Sequence, residues 1–404
     1  MTGKVPKGQI TMSTNRTPVF KPLVRAITGF VRINTDTYES LIADALVALG
    51  KAKDEFASSG YDVETVRVTT PPFAEIVEGM AQNQALTFLT QLNALAESGN
   101  FVVNVGPAML HDSDDPSIML VVEQALSTLS NIESSAIIAD TDGIHWETIR
   151  ATAELVRYVS EHSPHSQGNL NFATLAMAKP YSPFFPGSYF TEEGQQFAIG
   201  LESANVVHDV LVQDKGKYTT ALPDLISGLT QHKSAASVVA LKVQQETGWN
   251  CIGVNLAVSR IGTVSVAGAI EAYTGENFGS HGTLTAVRMI AEAIQTVDQD
   301  GNSVLALPVI EDMLLAQRWA ENTFGFDSLL AYAAAGSMGV DTVPLPGEIH
   351  SGQLKRILSD VAVLANTGNT PLSSRLLPVA GKKSGDMTGF NDSSLFNTKV
   401  HPLP

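Results

Sequence analysis

Apolar runs of strand length alternate along this chain with stretches whose apolar residues recur three or four apart, the two periods that separate buried strands from amphipathic helices. The runs predict strands over 26–33, 64–70, 101–107, 134–140, 171–178, 195–202, 249–258, 340–346 and 375–381. Helical periodicity predicts helices over 36–59, 115–130, 145–162, 232–247, 283–298, 308–323 and 351–366. In the fifth of these, Leu284, Val287, Ala291, Ile294 and Val297 share a face and leave Arg288, Glu292 and Gln295 outward. Several strand runs are near-continuous Val, Ile, Ala and Phe, as expected of strands covered on both faces in a parallel sheet. No fixed-period repeat and no long Pro/Ser/Gly linker divides the chain. The expectation is a flexible head over 1–22 followed by one large α/β domain over 23–404, with two packed α/β lobes as the alternative.

Composition narrows the functional class. A net charge of −16, with no Lys/Arg run to offset it, would repel phosphate backbones and anionic lipid, so neither nucleic acid nor a membrane is an expected partner. The single cysteine, Cys251, forbids an internal disulfide, a thiolate cluster and dithiol redox chemistry, which suits a reducing cytoplasm. No apolar run approaches the roughly 20 residues that span a bilayer. A cytoplasmic enzyme with a small-molecule substrate fits these bounds.

In parallel α/β folds the working groups gather where strands end. Here those ends would supply Asn104, Asp140, Asp142, His145, Tyr181, Glu202, Asn255, Arg260 and Asp341. "AIIADTDGIHW" has an apolar strand closing on Asp-x-Asp, the opening pattern of magnesium-dependent haloacid-dehalogenase-like phosphatases, although the rest of that pattern is missing. Asp142 as a helix cap is the plainer reading. "FGSHGTLTAVRMI" places Ser280, His281, Gly282 and Thr283 before a helix, where free N–H groups would attract a carboxylate or phosphate and His281 would exchange protons. The competing reading is a turn with Ser280 capping and His281 in water. "KPYSPFFPGSYF", 179–190, crowds prolines and aromatics into a loop suited to wall or cover a pocket. "RLLPVAGKKSGDMTGF" carries Arg375 on a strand, a cation that would suit an anionic substrate. Neither a Walker motif nor Gly-x-Gly-x-x-Gly after a strand is present, so no nucleotide motif is found.

Three blocks together resemble the domain-of-unknown-function family 711 (UPF0210, the "PFL family"). His281, Gly282 and Thr283 match its Thr-His-Gly-Thr block, with Asn255 in place of the family's Asp and Arg260 and Ile261 replacing part of its proline turn. Gly339, Val340 and Asp341 match a second block. Arg375, Pro378, Gly385, Asp386 and Phe390 match a third. The resemblance implies a ten-stranded α/β barrel similar to those of pyruvate formate-lyase and ribonucleotide reductase. It does not carry their radical chemistry: Cys251 is the only thiol, and "SGDMTGF" is not a glycyl-radical loop. Relatives commonly place cysteines before "SSAIIAD" and where Gly336 stands, so this chain looks like a divergent member.

These readings combine into one expectation: a non-radical enzyme, lyase-like or transferase-like, acting by acid/base chemistry on a small carboxylate or phosphate. His281, Asp341 and Asp140 would be catalytic. Arg260, Arg375, Asn255, Ser280, Gly282, Thr283 and Tyr181 would bind substrate, with His281 facing Asp341 across the barrel mouth. Asp140, Asp142 and Glu202 would hold a divalent metal, Mg or Ca. The alternatives are a ligand-binding or regulatory barrel that has lost catalysis and a Mg-dependent phosphatase using the DTDG turn; a homo-oligomer fits any of them.

Overall fold

The computed structural model describes residues 22–261, 264–298 and 301–403, so the expected flexible head falls outside them except for Pro22. Ten strands form one sheet path: β1 (Leu23–Phe30), β2 (Asp62–Thr69), β3 (Val102–Pro107), β4 (Ile132–Asp140), β5 (Phe172–Ala176), β6 (Gln196–Glu202), β7 (Asn250–Val258), β8 (Val304–Leu305), β9 (Gly339–Pro346) and β10 (Leu372–Val379). The nine expected strands are all there, displaced by a few residues at most. The tenth, β8, has two residues, too few for an apolar run to declare it.

Sheet order is β8-β7-β6-β1-β2-β3-β4-β5-β10-β9. Strands β1 to β5 run parallel to one another. At both borders of this group, β6 against β1 and β10 against β5, pairing is antiparallel. Within the second group neighbours are again parallel. The sheet therefore consists of five strands pointing one way and five pointing the other. Its two ends, β8 and β9, share no ladder, but Met338 N–H donates to Leu305 O and Val309 N–H to Asp341 O across them. Close strand approach also explains one glycine: at Gly339, with φ of 129°, a Cβ would stand 2.0 Å from Ser373 O on β10.

Strand alternation sorts side chains onto two faces. Val68 on β2, Val103 and Val105 on β3, Ile132, Ala136 and Ile138 on β4, Phe197, Ile199 and Leu201 on β6 and Val254, Leu256 and Val258 on β7 pack into one apolar core with the helices. The helix over Thr283–Val297 contributes Ala286, Val287, Ile290 and Ile294 to it. The opposite face holds two small apolar clusters, Ile137 with Ala173, Leu175 and Tyr189, and Phe30 with Phe190 and Ala198. Most of what else points there is polar. Helices missed by periodicity, including Gln82–Gly99 and Ala204–Gln213, pack on the core side; the first is rich in Gln, Asn and Thr, which blurs its apolar stripe. The helix expected from 232 begins at Tyr218 with Pro223 inside it. Among the described residues no helix is long and apolar enough to cross a membrane.

Candidate functional site in the concave face of the sheet

Four strands stand between β1 and β10 in the sheet, which at about 4.8 Å per step would hold them about 24 Å apart if it were flat. Side chains from both nevertheless reach the same carboxylate. Arg375 on β10 lies 2.8 Å from Glu311 Oε1, and Arg25 on β1 lies 4.0 Å from Glu311 Oε2. The sheet is curled, and its polar face is the concave one.

A chain of ion pairs crosses that concavity. Arg375 grips Asp341 with two bonds, Nε to Oδ1 at 2.6 Å and Nη2 to Oδ2 at 2.9 Å, the paired geometry in which a guanidinium and a carboxylate are strongest. Arg25 continues from Glu311 to Glu202 at 3.3 Å. The other Glu202 oxygen, Oε1, accepts the backbone N–H groups of Ser203, Ala204 and Ser259. Burial opposes the charge on Glu311, yet Arg375, Arg25 and Arg260 hold it below the usual carboxylate range. On Glu202 burial prevails over Arg25 and the three N–H donors, and its carboxyl is raised. Arg260 approaches Glu311, with its Nε buried and unpartnered.

Two members of this face make no close ion pair among the described residues. Arg67 on β2 donates to Thr65 Oγ1 at 2.9 Å and lies 4.9 Å from the Phe185 ring centroid, and among the described residues it forms no ion pair. Burial lowers its affinity for its proton, with Glu133 opposing. Glu133 on β4 has its Oε2 buried with no hydrogen-bond partner. Burial pushes its carboxyl up to about 7, against the pull of Arg67 and Arg375. A carboxyl that titrates near neutrality can both give and take a proton.

The loop over 179–190 lies inside the curl. Thr28 Oγ1 donates to Pro183 O at 2.9 Å, Asn104 Nδ2 to Pro186 O at 2.6 Å, and Thr69 and Ser188 share a hydroxyl contact at 2.7 Å. Polar side chains on β1, β2 and β3 thus satisfy backbone that would otherwise be buried without partners. The loop walls a cavity of about 100 Å³ whose lining includes Leu175, Phe184, Phe185, Met338, Leu372 and Arg375.

The residues singled out in the sequence are distributed as follows. Arg375, Asp341 and Glu202 belong to the ion-pair chain, Arg260 lies beside it near Glu311, and Asn255 is buried on the same face of β7. Tyr181 packs against Phe30, and its hydroxyl donates to Glu192 at 3.2 Å. His281, expected opposite Asp341, is exposed and its side chain makes no hydrogen bond among the described residues, whereas Asp341 is buried and ion-paired to Arg375. The turn before it is closed on itself. Gly282, with φ of 100°, is the N-cap of the helix, so Ser280 does not cap. Thr283 is buried, and its hydroxyl accepts the Gly279 N–H at 3.0 Å.

The proposed metal trio is also divided. Asp140 ends β4 and Glu202 ends β6, and because these strands belong to groups running in opposite directions their C-terminal ends lie at opposite edges of the sheet. Reading all strand ends as one mouth assumed a uniformly parallel sheet. Asp140 and Asp142 instead lie beside His111 and His145. Arg25, Arg67, Glu133 and Glu311 were not singled out, although three of them leave a signal: a charged residue inside a strand, flanked by apolar or small residues.

Comparison with known proteins places most of the chain. The family described as "Uncharacterised ACR (DUF711)" matches residues 21–391. A UPF0210 protein of Pyrobaculum islandicum is 26% identical over 406 residues, covering 94% of this chain and 86% of the relative. Another, of Methanocorpusculum labreanum, is 24% identical over 389 residues, covering 90% and 84%. A UPF0210 protein of Listeria monocytogenes is 24% identical over 375 residues, covering 87% and 82%.

Proposed function

This chain belongs to the DUF711 family, and from that premise we propose that its concave face is the site of an enzyme that binds a small anionic metabolite and moves a proton on it. Arg67 and Arg375 anchor a carboxylate or phosphate, and Glu133 is the acid/base group. The observation that carries this reading is the proximity of Arg67, which forms no close ion pair among the described residues, to Glu133, whose buried Oε2 has no hydrogen-bond partner among them and whose carboxyl is pushed up to about 7. A bound anion would give Arg67 the close ion pair it does not make with Glu133, and a donor on the ligand would satisfy Glu133. The apolar wall of Leu175, Phe184, Phe185 and Met338 fits a compact carbon skeleton. His281 has no part in this mechanism.

The test begins with thermal-shift screening of small carboxylates and phosphates against the full chain. Binders are then followed by NMR in D2O for exchange of carbon-bound protons next to a carbonyl. Arg67→Ala should weaken binding by about 10- to 100-fold, the worth of a charged hydrogen bond of about 1.5–3 kcal/mol. Glu133→Gln should keep binding and abolish exchange. Binding that is indifferent to Arg67→Ala, or exchange that survives Glu133→Gln, defeats the proposal.

A further inference from the structure

A second polar cluster lies at the C-terminal edge of β4, outside the ion-pair chain. His111, from the loop after β3, Asp140, the last residue of β4, and Asp142, from the turn after it, each offer a donor atom within 4.8 Å of the others. His145, 2% exposed, stands beneath them with Nε2 2.8 Å from Asp142 Oδ1 and 3.6 Å from Asp140 Oδ1.

The other nitrogen of His145 gives this arrangement its meaning. Nδ1 lies 2.9 Å from the carbonyl oxygen of Ile137, which can only accept, so the ring proton is on Nδ1. In the neutral ring Nε2 then carries a lone pair, and that lone pair faces two carboxylate oxygens. Lone pairs at 2.8 Å repel unless a positive species stands among them. A proton on Nε2 would relieve one such contact, but it would not account for the approach of His111 to both carboxylates. A metal ion would answer the approach of His111 to both carboxylates as well as the contact of His145 with them. An imidazole that donates one N–H to a backbone carbonyl while its other nitrogen faces ligand atoms is the usual setting of a metal-bound histidine.

We propose that His111, Asp140, Asp142 and His145 form a binding site for one divalent first-row transition ion. Two imidazoles beside two carboxylates select Mn2+, Fe2+, Co2+ or Zn2+ over Mg2+ and Ca2+, which favour all-oxygen shells. Because the His111 and Asp142 side of the cluster is exposed, the ion keeps positions open to water or a ligand. The site is independent of the Arg67–Glu133 reading and stands or falls separately.

The experiment titrates the EDTA-treated full-length chain with MnCl2, read by loss of the free-ion EPR signal and by calorimetry, and with CoCl2, read by visible absorption. One ion per chain is expected, undisturbed by equimolar MgCl2. Affinity should fall by about 10- to 100-fold in His111→Ala and in Asp142→Asn, both exposed positions that leave the fold intact, and in His145→Ala where circular dichroism shows it folded. His208→Ala, at a half-buried histidine elsewhere, should bind as the unaltered chain does. No saturable uptake of Mn2+, Co2+ or Zn2+ means that only a proton occupies Nε2 and overturns the site. Uptake unchanged in His111→Ala and Asp142→Asn overturns it equally.

Discussion

Replacing Glu133 by Gln should change how stability responds to pH. The carboxyl is pushed up to about 7 in the folded chain, against an ordinary value of 4.5. The unfolded chain therefore releases this proton first as pH rises, and between the two values it binds fewer protons than the folded state. By linkage the group costs stability progressively across that window and by a constant amount above it. A shift of about 2.5 units corresponds to about 3 kcal/mol at full development, at 1.36 kcal/mol per unit. Below 4.5 the penalty vanishes, and at pH 5 it is still under about 1 kcal/mol. Glutamine keeps the shape without the charge, so the variant should gain on the unaltered chain by about 2.5 kcal/mol between pH 5 and pH 8. Urea unfolding at both pH values measures this as a double difference. Glu123, whose carboxyl burial likewise raises to about 7, is present in both proteins and cancels. If the variant and the unaltered chain differ by the same amount at pH 5 and pH 8, burial does not raise Glu133, and its assignment as a proton carrier at neutral pH loses its basis.

Removing the Arg375 guanidinium in Arg375→Ala leaves Asp341 and Glu311 buried without their main partner; denaturation should show a loss of about 3–5 kcal/mol, or no folded protein. Asn104→Ala strips the bonds to Pro186 O and from Gly106 N–H. It should cost about 1–3 kcal/mol and speed chymotryptic cleavage within 179–190, whereas unchanged cleavage would mean that Asn104 does not hold the loop. His281→Ala, at an exposed position without side-chain bonds, should stay within about 0.5 kcal/mol of the parent and bind the same anions, and a lost affinity would return His281 to the site.

Much of the frame is readable in the sequence, and the reasons are local. A run such as 249–258 needs only strand propensity and two covered faces, and β7 occupies Asn250–Val258. The helix from Thr283 is visible because its apolar residues recur at the helical period, and it ends at Val297, one residue from the expected limit. Arg67 within "ETVRVTT" and Glu133 within "IESSAIIAD" were legible as charges inside strands. Their value as a pair was not, because it arises from burial and from strands distant in sequence. His281 misled for the opposite reason: a histidine between glycines before a helix looks the same on paper whether the turn faces a cavity or solvent.

The sequence by itself determined the period of the strongly patterned segments, and therefore most of the strands, many of the helices and which side of a strand faces the apolar core. It also determined the charge balance and the single thiol, which bound the chemistry. Only the tertiary structure decided strand direction. Parallel and antiparallel pairing place the same alternating residues on the same two faces, so periodicity is blind to the choice. That choice sends Asp140 and Glu202 to opposite edges, and the curl of the sheet brings Arg25 and Arg375 to one carboxylate.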